Sequence, residues 1–474
     1  MSDYNFLMEI RLAPPQFQVL NHISRVSAAL GINLYLVGGA VRDLTSGQGN
    51  IRNLDFVAEG NTQKILKTLV SEATRKPAKS SPPQAQPAME LEHFHYDPRS
   101  QTASLYFANG VEAEIETARK ENYSKPGRPP EITPAGIFED LRRRDFSVNA
   151  MAVSLHPNSR GLLLDPTNGA LDIENREFRA LHSRSFLEDP SRIYRLLRLT
   201  LRLGFKVEER TQSWLETALQ SKAWEAMTPQ QQGRELRDAL QEQNPAKVFR
   251  IYAEHDLLPG LDRSLSAGRI PFDRLEKIRS ITRSVEGADP FLLHFNCLTE
   301  KLSPAHKKRL AQKVMPDSKT LKMALSLEPE ARKLVKVLGG PKANTESFVY
   351  QLLKDKPQPL LLYVLTHFPQ AKIQKRLKSF LFKYPQIRAR LPRAELQALG
   401  VEPGPRFEKI MEELFRAMLD GKIKTHAQAV KALHDLAGIK PPEPESAAVE
   451  TPAKPQVQTR KAAPRSRKAG KSRR

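Results

Sequence analysis

The sequence predicts an α+β protein with a mixed α/β head, a long all-helical region and a basic, disordered C-terminal tail. Three observations predict this division. Short apolar runs alternate with turn residues up to about residue 150, as in strands joined by loops. Apolar residues then recur at helical spacing from Asn175 onward. Residues 437–474 are rich in Pro, Ala, Ser, Lys and Arg, and they lack the apolar groups that a fold must bury.

The head shows strands, turns and one early helix. The run NLYLV predicts a strand that ends at a Gly-Gly pair, and AVRDLTSG directly after it predicts a helix. Two further apolar runs form a predicted hairpin through Ala108-Asn109-Gly110. The predicted strands are Asn33–Val37, Leu54–Ala58, Ser104–Phe107 and Val111–Thr117, and the predicted loops are Lys76–Pro87 and Lys125–Pro134.

Segment boundaries are harder to place in the helical region than in the head. Helical spacing is strongest in 192–205, 234–257, 407–419 and 426–436. From these patterns we predict five segments in chain order. They are a lead-in at 1–20, the head at 21–155, a first helical segment at 156–300, a second helical segment at 301–436 and the basic tail at 437–474.

Composition limits the classes of function. The 474 residues carry a net charge of +22, and the last 24 residues hold nine lysines or arginines and no acid. A basic chain favours a polyanionic partner, although it also describes an ordinary basic surface. The single cysteine, Cys297, excludes a disulfide framework and a cysteine zinc site. We expect a cytoplasmic location, since the N-terminus has no signal-peptide pattern and no apolar run could cross a bilayer.

A strand followed by two glycines and a helix is typical of phosphate sites. Gly38 and Gly39 let the backbone approach an anion, and the helix start offers free N–H groups. Arg42 lies on the first helical turn, where it could contact a phosphate. The same pair of glycines also occurs in ordinary tight turns.

Oxygen-bearing side chains on two strands predict a metal site near this turn. Asn53 and Asp55 are two residues apart, so they would share one face of a strand and could hold a divalent cation over triphosphate oxygens. A third acid could come from Glu112, Glu114 or Glu116. These three residues alternate along one predicted strand, so they would share one face of it. Three such glutamates would also suit a solvated edge strand.

Two charged motifs complete the candidate residues. The run Asp140–Ala150 reads DLRRRDFSVNA and resembles either a helix start with a basic patch or a triphosphate and ribose site. The segment EDPSR at 188–192 opens a predicted helix, on which Asp189, Arg192 and Arg195 share a face with Arg198 and Arg202 further along. Two interpretations of an Asp and an Arg three residues apart are open. They could form a surface ion pair, or they could present an acceptor and a donor to the edge of a nucleotide base.

Six motifs in order resemble one enzyme family. They are LVGGAVRD (36–43), NLDFVAEG (53–60), EIETARKENY (114–123), DLRRRDFSVNAMA (140–152), LDPTNGALD (164–172) and EDPSRIYRLLR (188–198). Together they resemble class II tRNA nucleotidyltransferases and bacterial poly(A) polymerases. The resemblance implies a nucleotidyltransferase-type head followed by a helical neck and body within 156–300 and a helical tail within 301–436. Segment 391–425 resembles the part of the tail that grips the tRNA elbow.

The resemblance also implies roles for particular residues. It implies catalytic and magnesium-binding roles for Asp55, Asn53 and Glu114. It implies nucleotide contacts by the glycine turn and by the arginine motif within 140–150. It also implies that Asp189 and Arg192 are the pair that reads C or A. These nucleotide-binding residues are Gly38, Gly39, Arg42, Arg143, Arg144, Asp145, Asn149, Asp189, Arg192, Arg195 and Arg198. The stretch 118–138 resembles the flexible loop that switches the family's enzymes from C to A addition.

The implied activity is addition of CMP and AMP to the tRNA 3′ end, with Mg²⁺ as cofactor and CTP and ATP as substrates. Two alternatives remain open. One is a poly(A) polymerase of the same fold, which the basic residues 451–474 favour. The other is a weak or inactive RNA-binding homologue, because Asn53 stands where the family has its first metal-binding aspartate. The oligomeric state is not predicted.

Overall fold

The structure, a computed structural model, describes residues 3–47, 51–74, 89–124, 130–315 and 317–438. The described residues form two compact units. The first unit holds residues up to 344 together with 348–381, and the second holds 345–347 with 382–438. The predicted loop at 76–87 and residues 439–474 of the predicted tail lie outside the described residues.

A mixed sheet of seven strands organises the head, in the order β3-β4-β5-β2-β1-β8-β9. β1 pairs antiparallel with β2, whereas β2 pairs parallel with β5. The predicted strands at 33–37 and 54–58 and the predicted hairpin are confirmed. The strands are β1 (Asn33–Val37), β2 (Leu54–Glu59), β3 (Leu91–Asp97), β4 (Thr102–Phe107), β5 (Glu112–Thr117), β6 (Arg119–Asn122), β7 (Glu131–Pro134), β8 (Ala152–Ser154), β9 (Leu163–Leu164), β10 (Glu177–Phe178) and β11 (Lys206–Val207).

Helices make up most of the remaining described chain, as the sequence predicts. They are α1 (Tyr4–Arg11), α2 (Pro14–Ala29), α3 (Gly39–Ser46), α4 (Thr62–Thr74), α5 (Ile137–Arg142), α6 (Gly169–Glu174), α7 (Ser185–Glu188), α8 (Ser191–Leu203), α9 (Glu209–Gln220), α10 (Pro229–Leu240), α11 (Pro245–Glu254), α12 (Leu258–Leu261), α13 (Phe272–Thr282), α14 (Phe291–Leu298), α15 (Pro304–Val314), α16 (Ser318–Gly339), α17 (Glu346–Leu353), α18 (Gln358–His367), α19 (Ala371–Lys378), α20 (Tyr384–Arg388), α21 (Arg393–Ala398), α22 (Pro405–Leu419) and α23 (His426–Ala437).

The two faces of the head sheet differ because side chains alternate along each strand. Leu54, Phe56 and Ala58 of β2 enter the large core. The opposite face carries Asp55 and Val57, and Val57 packs in a small second core that includes Ile137 and Leu141 of α5, among other residues. The strand pattern therefore places Asp55 on the face that α5 covers.

Several sequence predictions were wrong in detail. The predicted loop at 125–134 contains β7, which pairs with β6 despite its closing proline, since the missing N–H of a proline is tolerated at the end of an edge strand. The pattern at 234–257 forms two helices, α10 and α11, because Asn244 caps a new helix that starts at Pro245. The run that begins at Asp140 forms the end of α5 and not a helix start.

The N-terminal residues and the lone cysteine are both well packed. Tyr4 of α1 is buried and shares a hydrogen bond of 2.8 Å between its hydroxyl and Thr45 Oγ1 of α3. Cys297 is buried in α14, and burial raises the pKa of its thiol, so it fills the core as the sequence predicts.

Among the helices of the described chain, none is long and apolar enough to span a membrane.

Candidate active site

Two carboxylates from neighbouring strands lie side by side at the centre of the sheet. Asp55 of β2 and Glu114 of β5 are directly paired in the parallel register. Side chains at paired positions of adjacent strands point to the same face. Asn53 lies just before β2, which begins at Leu54, and it is exposed. The strand pair therefore brings Asp55 and Glu114 together, while Asn53 lies at its solvent-exposed entrance.

The glycine turn lies against Asp55. Gly38 has φ +67° and ψ −135°, a conformation that essentially only glycine adopts. A Cβ atom on Gly38 would lie 3.4 Å from Arg144 Nη1 and 3.5 Å from Asp55 Oδ2. The backbone conformation thus requires glycine at this position, and the carboxylate and the guanidinium group lie in contact distance of the start of α3.

Arg42 is held beside this turn by two polar partners. Its Nε donates to Asp43 Oδ1 at 2.8 Å, and its Nη1 donates to Asn149 Oδ1 at 2.8 Å. Asn149 in turn donates to Asp145 Oδ1 at 3.0 Å. Only 4% of the Arg42 side chain is exposed, so its charge acts on the site from within the protein. The predicted residues Arg42, Asp145 and Asn149 therefore form one connected chain.

Asp140 anchors the two arginines that follow it. This carboxylate is fully buried, and it accepts hydrogen bonds from Arg143 Nη2 at 2.7 Å and from Arg144 Nη2 at 3.0 Å. Arg143 also lies 3.2 Å from Glu116 and 2.9 Å from Glu121 of β6. Burial alone would raise the pKa of Asp140, but the charges of Arg144 and Arg143 outweigh it and lower that pKa. Neither Asp140 nor Glu121 is predicted from the sequence to anchor these arginines.

The three glutamates of β5 have different surroundings. Glu112 is exposed, and Glu116 is engaged by Arg143 and Arg119. Burial alone would raise the pKa of Glu116, but Arg119 and Arg143 lower it. Glu114 is the glutamate paired with Asp55, and burial together with the charges of Glu116 and Asp55 raises its pKa to about 7. The register therefore selects Glu114 as the partner of Asp55.

A divalent cation would relieve this crowding of negative charge. Burial and the charge of Glu116 raise the pKa of Asp55 to about 6, although Arg144 and Arg42 oppose the shift. In the described part of the chain no group of three or more His, Cys, Asp or Glu side chains could hold a metal ion. Two carboxylates nevertheless suit Mg²⁺, which usually takes its remaining oxygen ligands from water and substrate phosphates. The donor set at Asp55 and Glu114 fits such an ion.

We expect Glu114→Gln to stabilise the metal-free protein above neutral pH. Glu114 has its pKa raised from 4.5 to about 7 by folding, so its stabilising contribution is full below pH 4.5 and is lost as the pH rises through about 7. Removing the charge should raise the free energy of unfolding by roughly 2 kcal/mol at about pH 8 with EDTA. Thermal melting measures the effect, with Glu112→Gln on the same strand as the control. Equal melting temperatures for the two variants at this pH would contradict the account.

The start of α8 carries the predicted base-reading pair. Asp189 lies in the turn before the helix, which begins at Ser191, within the segment 188–192 that the sequence predicts to open it. Arg192 donates from Nη1 to Ser185 Oγ at 2.7 Å and from Nη2 to the carbonyl oxygen of Arg143 at 2.8 Å. The second of these bonds connects Arg192 with the motif at 140–150, which contains Arg143 and Arg144. This bond therefore connects the start of α8 with the arginines that follow α5 in the head.

The arginines further along α8 meet α10. Arg195 Nη1 donates to Asp145 Oδ2 at 2.9 Å, and its Nη2 lies 3.3 Å from Glu235 Oε1. Arg198 is 4% exposed and pairs with Glu235 and with Asp238, the latter at 2.8 Å. Arg195 thus belongs to the network around Asp145, whereas Arg198 is turned toward the acids of α10.

A supporting row of polar residues on α10, continued by Glu242, is not predicted from the sequence. Gln231, Glu235 and Asp238 lie on one face of α10 at steps of four and three residues, and Glu242 follows four residues later, just beyond the end of the helix. Their partners on or just before α8 are Asp189, Arg195, Arg198 and Arg202. The spacing was visible in the sequence, but nothing in it shows which helix the face meets.

These contacts define a class of protein. A glycine turn at a helix start, two paired carboxylates and several arginines form a site suited to a nucleoside triphosphate and a divalent cation. These residues are the ones expected in a head that binds a nucleotide and transfers a phosphoryl group.

Comparison with known proteins shows what the chain is similar to. Residues 34–179 match the family model of the poly A polymerase head domain. The A-adding tRNA nucleotidyltransferase of Halalkalibacterium halodurans is 28% identical over 442 residues, which cover 92% of this chain and 96% of that protein. The A-adding enzyme of Aquifex aeolicus is also 28% identical, over 81% of this chain and 45% of its own length. The CC-adding enzyme of Deinococcus radiodurans is 35% identical over 53% of this chain and 62% of its own length.

Solved structures agree with these matches. A tRNA-processing enzyme in an apo form has a TM-score of 0.53 at 25% identity, covering 87% of this chain and 99% of its own. A tRNA nucleotidyltransferase complexed with a primer tRNA and an incoming ATP analog has a TM-score of 0.52 at 26% identity, covering 77% and 99%. The chain is therefore similar to tRNA nucleotidyltransferases over most of its length, and its residues 34–179 match the poly A polymerase head domain. It spans about half the length of some curated relatives, such as the Aquifex aeolicus enzyme.

Proposed function

We propose that this protein adds CMP or AMP to the 3′ end of tRNA without a template. The observation that supports this most strongly is the direct pairing of Asp55 with Glu114 beside the Gly38 turn. The relatives named as A-adding and CC-adding enzymes support tRNA as the acceptor and ATP and CTP as the donors. The basic charge of the chain suits an RNA partner whose phosphates release counterions on binding.

The proposed reaction is an in-line displacement at the α-phosphate. The tRNA 3′-hydroxyl forms the new bond to phosphorus, the bond to the β-phosphate bridging oxygen breaks, pyrophosphate leaves, and the hydroxyl proton passes to water. The start of α3 at Gly38 and the guanidinium group of Arg144 hold the triphosphate. Asp145 and Asn149 hold the ribose side. The protein accelerates the step mainly by placement and by preorganised charge.

We propose that Asp55 and Glu114 hold Mg²⁺, with the amide oxygen of Asn53 as a third ligand. When bound, this ion supplies positive charge that lowers the pKa of the attacking hydroxyl and stabilises the transition state. Mg²⁺ prefers oxygen ligands and is commonly held by one or two carboxylates plus phosphates. The raised pKa values of Asp55 and Glu114 support the proposal, because both carboxyl groups gain from a neighbouring cation.

Two further parts of the proposal rest on the family resemblance. Segment 391–425, which contains α21 and α22 of the second unit, contacts the tRNA elbow. The location is cytoplasmic, where tRNA is processed and where a free thiol such as Cys297 stays reduced. Cell fractionation with an antibody against the chain tests the location directly.

Nucleotide incorporation tests the activity. The purified chain is incubated with each of the four nucleoside triphosphates and tRNA ending at the discriminator base, at C or at CC. We expect CMP or AMP to be added in one to three steps. A long ladder with ATP alone would identify a poly(A) polymerase instead, and tight tRNA binding without any incorporation would identify an inactive RNA-binding protein.

We expect Asn53→Asp to raise turnover about tenfold, because a second carboxylate at the entrance of β2 strengthens the hold on the cation by roughly 1.4 kcal/mol in the transition state. Single-turnover incorporation measures the change. Asn61→Asp is the matched control, because it places the same charge beyond the opposite end of β2. Equal rates for Asn53→Asp and the wild type would show that Asn53 does not contribute to the cation site.

A further inference from the structure

The two oxygens of the Asp189 carboxylate have unequal surroundings. Oδ1 accepts three hydrogen bonds, from Ser191 N at 3.1 Å, Ser191 Oγ at 2.6 Å and Gln231 Nε2 at 2.8 Å. Oδ2 lies 3.8 Å from Arg192 Nε, which is beyond hydrogen-bonding distance. Three donors saturate Oδ1, so the acceptor capacity that remains for a ligand is concentrated on Oδ2.

The contact from Gln231 has only one possible orientation. The side-chain oxygen of Gln231 accepts from Thr228 N at 2.8 Å and from Thr228 Oγ1 at 3.0 Å. The Thr228 hydroxyl also accepts from the backbone N–H of Gln231, which completes a capping box at the start of α10. Because the oxygen is committed to Thr228, the amide nitrogen must face Asp189.

The register between α8 and α10 supports this contact. Glu235 lies one turn after Gln231, is fully buried and bonds to Arg195 and Arg198. These ion pairs fix the position of α10 along α8. They therefore also fix the position of Gln231 next to Asp189. Arg192 is fixed separately, by Ser185 Oγ and by the carbonyl oxygen of Arg143.

We propose that Gln231 is a positioning residue for base selection, an inference that rests on the proposed function. Cytosine and adenine present an amino donor beside a ring-nitrogen acceptor, whereas uracil and guanine present a carbonyl oxygen beside an N–H group. A fixed acceptor at Asp189 Oδ2 beside a fixed donor at Arg192 matches the first pattern and opposes the second. Gln231 prevents rotation of the carboxylate, so the acceptor stays in register with the base edge.

The first variant is Gln231→Leu, which keeps most of the volume and removes the donor to Asp189 together with the acceptor for Thr228. For whichever of CTP or ATP the wild type adds, we expect the KM to rise about tenfold, because one hydrogen bond to a charged group is lost. We expect kcat at saturation to change by less than about twofold, since the reacting atoms are not touched. The ratio of kcat/KM for the correct nucleotide to that for UTP or GTP should fall about tenfold.

Two further variants and a control complete the test. Gln230→Leu is the matched control, because Gln230 is the exposed neighbour on the same helix, and it should leave KM and selectivity unchanged. Gln231→Glu places an acceptor against Asp189 Oδ1 and should impair selectivity more than Gln231→Leu. Ser191→Ala removes a donor on the other side of the same oxygen and should act in the same direction, which keeps the test decisive if a Gln231 variant fails to fold.

The outcomes separate the two proposals. A wild type that incorporates nucleotides, combined with Gln231→Leu that keeps the KM and selectivity of Gln230→Leu, would overturn the role of Gln231. A variant that loses only kcat while its selectivity is intact would also overturn it, since that result indicates a structural effect. A wild type that incorporates no nucleotide would instead overturn the proposed function.

Discussion

Asp55→Asn is expected to lower nucleotide incorporation about a thousandfold, because it removes a charged ligand worth several kcal/mol of transition-state stabilisation. The side chain lies beside Gly38 and is paired in register with Glu114, so no neighbouring carboxylate can take its position. Single-turnover incorporation on truncated tRNA measures the loss.

The fold should survive this change. Burial raises the pKa of Asp55 to about 6, so its charge destabilises the metal-free protein at neutral pH and the neutral amide does not. Glu112→Gln, which removes an exposed charge from the adjacent strand, is the control and should retain full activity. Retention of more than about a tenth of wild-type activity by Asp55→Asn would contradict a metal-binding role.

Asp140→Asn is expected to destabilise the protein by about 3 to 5 kcal/mol, since it breaks a buried ion pair. Arg144 loses its carboxylate partner, whereas Arg143 keeps Glu116 and Glu121. Asp140 is fully buried between Arg143 and Arg144. Its lowered pKa means that its contribution is present above the ordinary value of 3.8 and is lost as the pH falls through the lower folded value. Nucleotide affinity should fall as well, because Arg144 lies beside the glycine turn.

Urea denaturation at about pH 7 measures the loss of stability. Glu139→Gln is the matched control, because Glu139 is the preceding residue of α5 and makes only a 3.8 Å ion pair with Lys120. A surface pair of this kind contributes at most about 1 kcal/mol. If both variants unfold at the same urea concentration, Asp140 does not anchor the arginines.

Much of the head could be predicted from the sequence because its signals are local. The run at 33–37, the glycine pair that follows it and the hairpin through 108–110 each depend on neighbouring residues alone. The pairing of Asp55 with Glu114 could not be predicted in the same way, because β2 and β5 are parallel strands separated by a long crossover. The strand pattern therefore left three glutamates as alternatives; the family resemblance implied Glu114, and the register pairs Glu114 with Asp55.

The supporting contacts could not be predicted because they depend on tertiary packing. In the sequence, Gln231 is typical of a helix-capping residue. Its contact with Asp189 exists only because α10 packs against α8. Asp140 resembles a helix-terminal acid until α5 covers it. β7 was missed because proline and glycine residues near it favour a loop, whereas pairing with β6 decides its conformation.

Binding of Mn²⁺, counted by electron paramagnetic resonance in the presence of a non-hydrolysable ATP analogue, tests the two-strand cation site most directly. Asp55→Asn and Glu114→Gln should each weaken Mn²⁺ binding at least about tenfold relative to the wild type and to Glu112→Gln. If all four proteins bind Mn²⁺ with the same affinity, the cation is not held between β2 and β5.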